Sequence, residues 1–148
     1  FSRIMSLKDG LKKMSKSEVS DLSRINLTDD KDQIINKIKK AKTDALPLPT
    51  KIEELEKRPE AKNLIGIYSS LMNNTLQKSI DEFAGKNFSE FKEKLSEIVV
   101  NEINPISLKI KELLDDKAYL EKILKDGYEK ANEIASKKIK KIHEIVGF

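Results

Sequence analysis

The sequence predicts a mainly α protein, a helical bundle of about five helices preceded by a short strand and a mobile loop. Three observations carry that reading. Charged residues make up 36% of the chain and aromatics 5%, with five glycines and four prolines, which is the composition of solvated helices. Apolar residues recur at helical spacing from about residue 30 to the end. Helix start and stop residues punctuate that stretch at intervals that suit short loops. A chain of 148 residues is a single-domain length, able to bury roughly 68% of its unfolded surface.

In chain order, residues 2 to 7 read as a strand, the last of a parallel sheet whose other strands are not in this sequence. Residues 8 to 27 hold glycine, lysines and serines without a clear period, and read as a long mobile loop. Asp30 with Gln33 has the spacing of a capping box. The helix it opens carries Ile34, Ile35, Ile38 and Ala41 on one face, with Lys37, Lys39, Lys40 and Lys42 around the rest. Pro47 and Pro49 force an extended connection, and a short helix follows around Ile52 to Lys57.

Pro59 suits the first turn of the next helix, whose core stripe is Ala61, Leu64, Ile65, Tyr68, Leu71 and Met72. Thr75 caps a shorter helix with Leu76, Ile80 and Phe83 inward, and Gly85 is its left-handed terminator. Phe88, Phe91, Leu95, Ile98, Val99 and Ile103 define a long helix that Pro105 should kink or interrupt. The last helix carries Leu120, Ile123, Leu124, Ala131, Ile134, Ala135, Ile139, Ile142 and Val146 on one stripe. Gly127 lies on that stripe, where close approach of a neighbouring helix would compensate its propensity cost of about 1 kcal/mol.

The chemistry concentrates at Lys13-Met14-Ser15-Lys16-Ser17. Two lysines three residues apart, separated by small residues, make a compact cationic clamp. Each ammonium brings three donors, and the serines let backbone N–H groups approach a ligand. Such a segment suits a polyphosphate, although K-x-x-K with serines also occurs on solvated loops.

These five residues spell the KMSKS motif of the class I aminoacyl-tRNA synthetases. Together with Arg3-Ile4-Met5-Ser6-Leu7, Asp9-Gly10 and Lys12 they resemble the tryptophanyl-tRNA synthetases. The resemblance continues through Ile25-Asn26-Leu27-Thr28-Asp29-Asp30, Lys40-Ala41-Lys42-Thr43-Asp44, Asn63-Leu64-Ile65, Pro105-Ile106 and Val146-Gly147-Phe148. It covers the whole chain, but only the C-terminal part of such an enzyme.

The resemblance implies a division into residues 1 to 7, the last strand of a Rossmann-like nucleotide-binding domain; residues 8 to 27, the KMSKS loop; and residues 28 to 148, a helical anticodon-binding region. It implies that Lys13 and Lys16 act on ATP phosphates as catalytic cations. Ile4, Met14, Ser15 and Ser17 would share the ATP site, Ile4 through a backbone contact to adenine. ATP would be a substrate, with Mg2+ accompanying it, and tryptophan and tRNA(Trp) the other partners of a homodimeric enzyme. Such enzymes work in the cytoplasm or an organellar matrix. Their second motif, H-x-G-H, is absent here because His143 is the sole histidine, so the chain should hold half of an active site. Beginning at Phe1, it reads as a fragment or processed product. One departure is local: Glu18-Val19 stands where the family has Asp-Pro, which loosens the backbone after the clamp and leaves the loop's resting position open.

Lys137, Lys138, Lys140 and Lys141 place four ammonium groups within five residues. They read either as a solvated helix end that favours the C-terminal dipole or as contacts to a tRNA backbone. Lys37 to Lys42 have the same two readings. No acid-base carboxylate pair, catalytic triad or metal-ligand cluster stands out. The absence of cysteine excludes disulfides and thiolate metal sites, and no apolar run reaches membrane-span length. Two rival functions remain: a stand-alone helical RNA-binding module without catalysis, and the related tyrosyl-tRNA synthetases, against which the Lys-Ala-Lys-Thr-Asp and Val-Gly-Phe segments speak.

Overall fold

The computed structural model describes residues 3 to 147. Two compact units divide the chain, Phe1–Leu108 and Lys109–Phe148. The first contains irregular N-terminal backbone, α1 (Lys31–Lys39), a 3-10 helix (Ile52–Lys57), α2 (Pro59–Leu71), α3 (Leu76–Phe83) and most of α4 (Phe88–Asp115). The second contains the end of α4 and α5 (Lys117–Val146).

Local chemistry sets the helix boundaries. Asp30 Oδ1 accepts from the Gln33 N–H at 2.9 Å while Gln33 Oε1 accepts from the Asp30 N–H at 2.8 Å, which satisfies two end donors of α1. Pro59 opens α2, where a missing N–H costs nothing. Thr75 Oγ1 accepts from the Lys78 N–H at 3.2 Å to cap α3. Gly85 follows α3 with φ +71°, a left-handed conformation that only glycine adopts at no steric cost. Lys92 reaches from α4 to the end of α1, donating to the carbonyls of Lys39 (3.2 Å) and Ala41 (2.7 Å). Burial pushes its ammonium below its ordinary pKa.

The core of the first unit lies on α2. Leu64, Ile65 and Tyr68 are 1% exposed each, and they meet Ile34 and Ile38 of α1, Ile80 and Phe83 of α3, and Phe91 and Leu95 of α4 in one apolar cluster. Tyr68, Phe83 and Phe91 form an aromatic trio with ring centroids 4.9 to 5.7 Å apart, two of the pairs edge-to-face. The Tyr68 hydroxyl donates to Glu82 at 2.8 Å, and burial first, then that carboxylate, pushes its pKa up to about 12. Arg58, 9% exposed, grips Asp44 with two bonds of 2.7 and 2.8 Å and lies over the Phe88 ring. This pair ties the Pro47-Pro49 connection to the start of α2.

Four features differ from the sequence expectation. Residues 3 to 7 form no strand: with no neighbouring strand to build a ladder, one antiparallel bridge, Met5 to Lys13, remains; Phe1 and Ser2, the start of the expected element, lie outside the described residues. Pro105 does not interrupt α4, which runs through it from Phe88 to Asp115, since a proline inside a helix removes a single backbone hydrogen bond; the interruption half of the expectation therefore fails. Lys37 is buried at 3% exposure, not on the solvated side of α1. Finally, no residue of α5 is buried. Its apolar stripe is open, with Leu124 and Ile134 71% and 70% exposed, and nothing lies within 4 Å of where a Gly127 Cβ would be. A periodic stripe specifies a face, not the presence of an element to cover it.

The aromatic trio gives a direct stability test. Phe91, at 0% exposure, leaves a large cavity when truncated, so Phe91→Ala should lower unfolding free energy by about 3–5 kcal/mol. Urea denaturation followed by circular dichroism checks it; a midpoint within error of wild type would show that α4 is not packed in this way.

Candidate functional site

The N-terminal backbone is hung on α2. Asn63, 2% exposed, accepts from the Met5 N–H at 2.8 Å and donates to the Met5 carbonyl at 2.9 Å. An amide side chain thereby takes the place of a neighbouring strand. On the other edge, Ser6 N–H donates to the Lys12 carbonyl (2.8 Å) and Met14 N–H to the Ile4 carbonyl (3.2 Å). The turn between them contains Gly10, and its close approach explains the residue. A Cβ there would stand 2.5 to 2.7 Å from backbone atoms of Pro59 and Glu60. The Glu60 carboxyl is held below its ordinary value chiefly by Lys42, 2.8 Å away.

Beyond this turn Lys13, Met14, Ser15 and Lys16 line one side of a cavity of about 890 Å³. Arg3 and Ile4 line it as well, and Arg24, Ile25, Asn26, Leu27 and Thr28 form its return wall. Four cations, Arg3, Lys13, Lys16 and Arg24, therefore share a cavity that no carboxylate lines among the described residues, Arg24 being paired behind the wall with Asp21. Such a lining favours a multiply charged anion. Ser15 and Ser17 bond each other at 2.9 Å, and Ser15 Oγ accepts from the Ser17 N–H at 3.3 Å. Ser17 thus shapes the turn but does not line the cavity.

The return wall is held by ion pairs. Lys37 Nζ lies 2.6 Å from both Asp21 Oδ2 and Asp29 Oδ2. Arg24 reaches Asp21, Asn26 and the Glu18 carbonyl. The loop of residues 8 to 27 is irregular apart from a 3-10 turn at Asp21–Ser23. Lys37 is not available to RNA. Lys39 and Lys40 are exposed, and Lys42 pairs with Glu60. In the second unit Lys137, Lys138, Lys140 and Lys141 are all exposed on α5, Lys137 paired with Glu133 at 2.6 Å.

Sequence reasoning missed Arg3 and Arg24 as lining residues. Their signal was present: each is a lone arginine flanking a segment already marked, Ile4 in one case and Ile25-Asn26-Leu27-Thr28 in the other.

Comparison with known proteins now gives this geometry a class. Residues 1 to 105 match the family of tRNA synthetases class I (W and Y), and the chain belongs to that family. Among its relatives, a tryptophan-tRNA ligase of Agrobacterium fabrum is 51% identical over 99% of this chain, and one of Rickettsia felis is 52% identical over 99%. The chain spans 41% and 44% of their respective lengths. The crystal structure of a tryptophanyl-tRNA synthetase of Campylobacter jejuni, complexed with ADP and tryptophan, superposes with a TM-score of 0.78 at 26% identity, covering 99% of this chain and 44% of that one.

The pH dependence of the Lys42–Glu60 pair follows from Glu60. Its depressed pKa means that the contribution is present above the ordinary value of 4.5 and is lost as pH falls through the folded value. Stability followed by urea denaturation should therefore fall as pH drops below 4.5, and by more in the wild type than in Glu60→Gln. Equal pH profiles for the two proteins would mean that the Glu60 charge does not contribute.

Proposed function

We propose that the chain is the C-terminal part of a tryptophan-tRNA ligase, which activates tryptophan with ATP and transfers it to tRNA(Trp). The observation that carries this is the cavity that Lys13 and Lys16 line together with Arg3 and Arg24, with no carboxylate in its lining among the described residues, in a chain about half identical to such ligases. In the activation step an oxygen of the tryptophan carboxylate attacks the α-phosphorus of ATP. The bond from that phosphorus to the bridging oxygen breaks, and pyrophosphate leaves with the electron pair. Charge therefore builds on the leaving group. Lys13 and Lys16 stabilise it most when the bond is breaking, if their loop closes late.

In the same reading Ile4 offers its backbone to adenine, Met14 and Ser15 wall the nucleotide, and Ser17 fixes the turn. Mg2+ arrives with the nucleotide as part of the substrate. The parent enzyme is a homodimer of the cytoplasm or an organellar matrix, and tRNA lies along the exposed lysines. No helix among the described residues is long and apolar enough to cross a membrane.

In the intact ligase Lys16→Ala should slow adenylate formation by roughly 10²–10³ with little change in apparent ATP affinity, as for one lost preorganised donor. Pre-steady-state kinetics with ATP titrated decides it. Weaker ATP binding at an unchanged maximal rate would make Lys16 a ground-state contact only. For the RNA partner, charge reversal at Lys138 and Lys141 should flatten the salt dependence of tRNA binding by about one unit of slope per lost contact. An unchanged slope leaves a merely solvated helix end.

A further inference from the structure

We propose that Arg24, Asp21 and Lys37 are positioning residues, a relay that sets where the Lys13 to Ser17 clamp rests. The proposal rests on the phosphate reading of Lys13 and Lys16. After Ser17 the chain continues as Glu18-Val19, so no proline ring restrains the backbone as it leaves the clamp. A side chain does so instead: Arg24 Nη1 donates to the Glu18 carbonyl at 2.9 Å. Its Nε donates to Asn26 Oδ1 at 3.1 Å, and its Nη2 lies 3.0 Å from Asp21 Oδ1. A planar fork can hold carbonyl, amide and carboxylate together; a single ammonium cannot match that geometry.

Asp21 passes the constraint on. Its second oxygen is 2.6 Å from Lys37 Nζ, and Lys37 is held in turn by Asp29 at 2.6 Å. Charge-assisted contacts therefore run without a break from the residue after the clamp to helix α1. The two ends of the chain differ in kind. The Lys37 and Asp29 side chains are 4% and 5% exposed, so neither charge can be left alone there. The Asp21 side chain is 55% exposed. Lys37 keeps Asp29 as its buried partner when Asp21 is changed, so what Asp21 chiefly governs is position. The hydrogen bonds from Lys37 first and Asn26 second hold the Asp21 carboxyl below its ordinary pKa.

Arg24 also lines the cavity, so its charge there must be separated from its bracing. The test uses Arg24→Met, Arg24→Lys, Asp21→Asn and the double variant Arg24→Met/Asp21→Asn in the full-length ligase, with Lys16→Ala alongside. Maximal rate of adenylate formation, apparent ATP affinity and melting temperature are measured for each. The relay predicts a loss of about tenfold in maximal rate for Arg24→Met and for Asp21→Asn, since small misplacement of a catalytic group is costly. It predicts the same loss in Arg24→Lys, which keeps the charge but not the fork. The double variant should be no slower than the slower single one, because both cut one chain of contacts. Melting temperatures should stay at the wild-type value.

Wild-type rate in Asp21→Asn or Arg24→Lys, multiplicative losses in the double variant, or melting temperatures that fall in step with rate would each overturn the relay. The Lys16→Ala arm separates the two readings. A fast Lys16→Ala overturns the phosphate reading itself. A slow Lys16→Ala with fast relay variants overturns the relay alone.

Discussion

The exchange of hydrogen bonds between Asn63 and the backbone of Met5 fixes how the cationic loop is attached to the helical body. Buried backbone groups must be satisfied, and residues 3 to 7 have no sheet to satisfy them. One amide from the middle of α2 supplies both a donor and an acceptor. The same helix presents Leu64, Ile65 and Tyr68 to the core and its first turn to Gly10. Loop placement and core packing therefore share one rigid element. A shift of α2 along its axis would disturb both together.

Charge is organised around that attachment in two ways. Cations on the cavity wall at Lys13 and Lys16 are exposed, on a stretch shaped by short serine contacts. Cations that brace the loop are paired: Lys37 with two aspartates, Arg24 with Asp21 and two oxygen acceptors, and Lys42 with Glu60. The loop thus has two sorts of basic residue within a short stretch of chain. Those that meet solvent can turn toward an incoming anion, while those with partners set the frame in which the turning happens.

Much of the helical body was legible because its signals are local. Asp30 and Gln33, Pro59, Thr75 and Gly85 each act within four residues, and each does in the structure what its chemistry dictates. The clamp was legible as a motif, through five consecutive residues. Lys37 was not. On a helix crowded with lysines its type and spacing resemble those of its solvated neighbours, and its partners at Asp21 and Asp29 act only once the chain has folded back. Asn63 was hidden for the same reason, its partner being 58 residues away. The stripe on α5 misled in the opposite sense, since periodicity states an amphipathic design whether or not a partner is near.

That last helix has a consequence of its own. At 30 residues it extends about 45 Å at the usual rise, and without buried side chains its order rests on the cooperativity of the backbone itself. Such a rod does not melt all at once. It unravels inward from its ends, and a residue of poor propensity divides it into shorter cooperative lengths. Gly127 stands eleven positions into the helix with open space around it, leaving a lysine-rich distal segment that can lose its winding while the proximal turns, capped by Asp116 at the Tyr119 N–H, keep theirs.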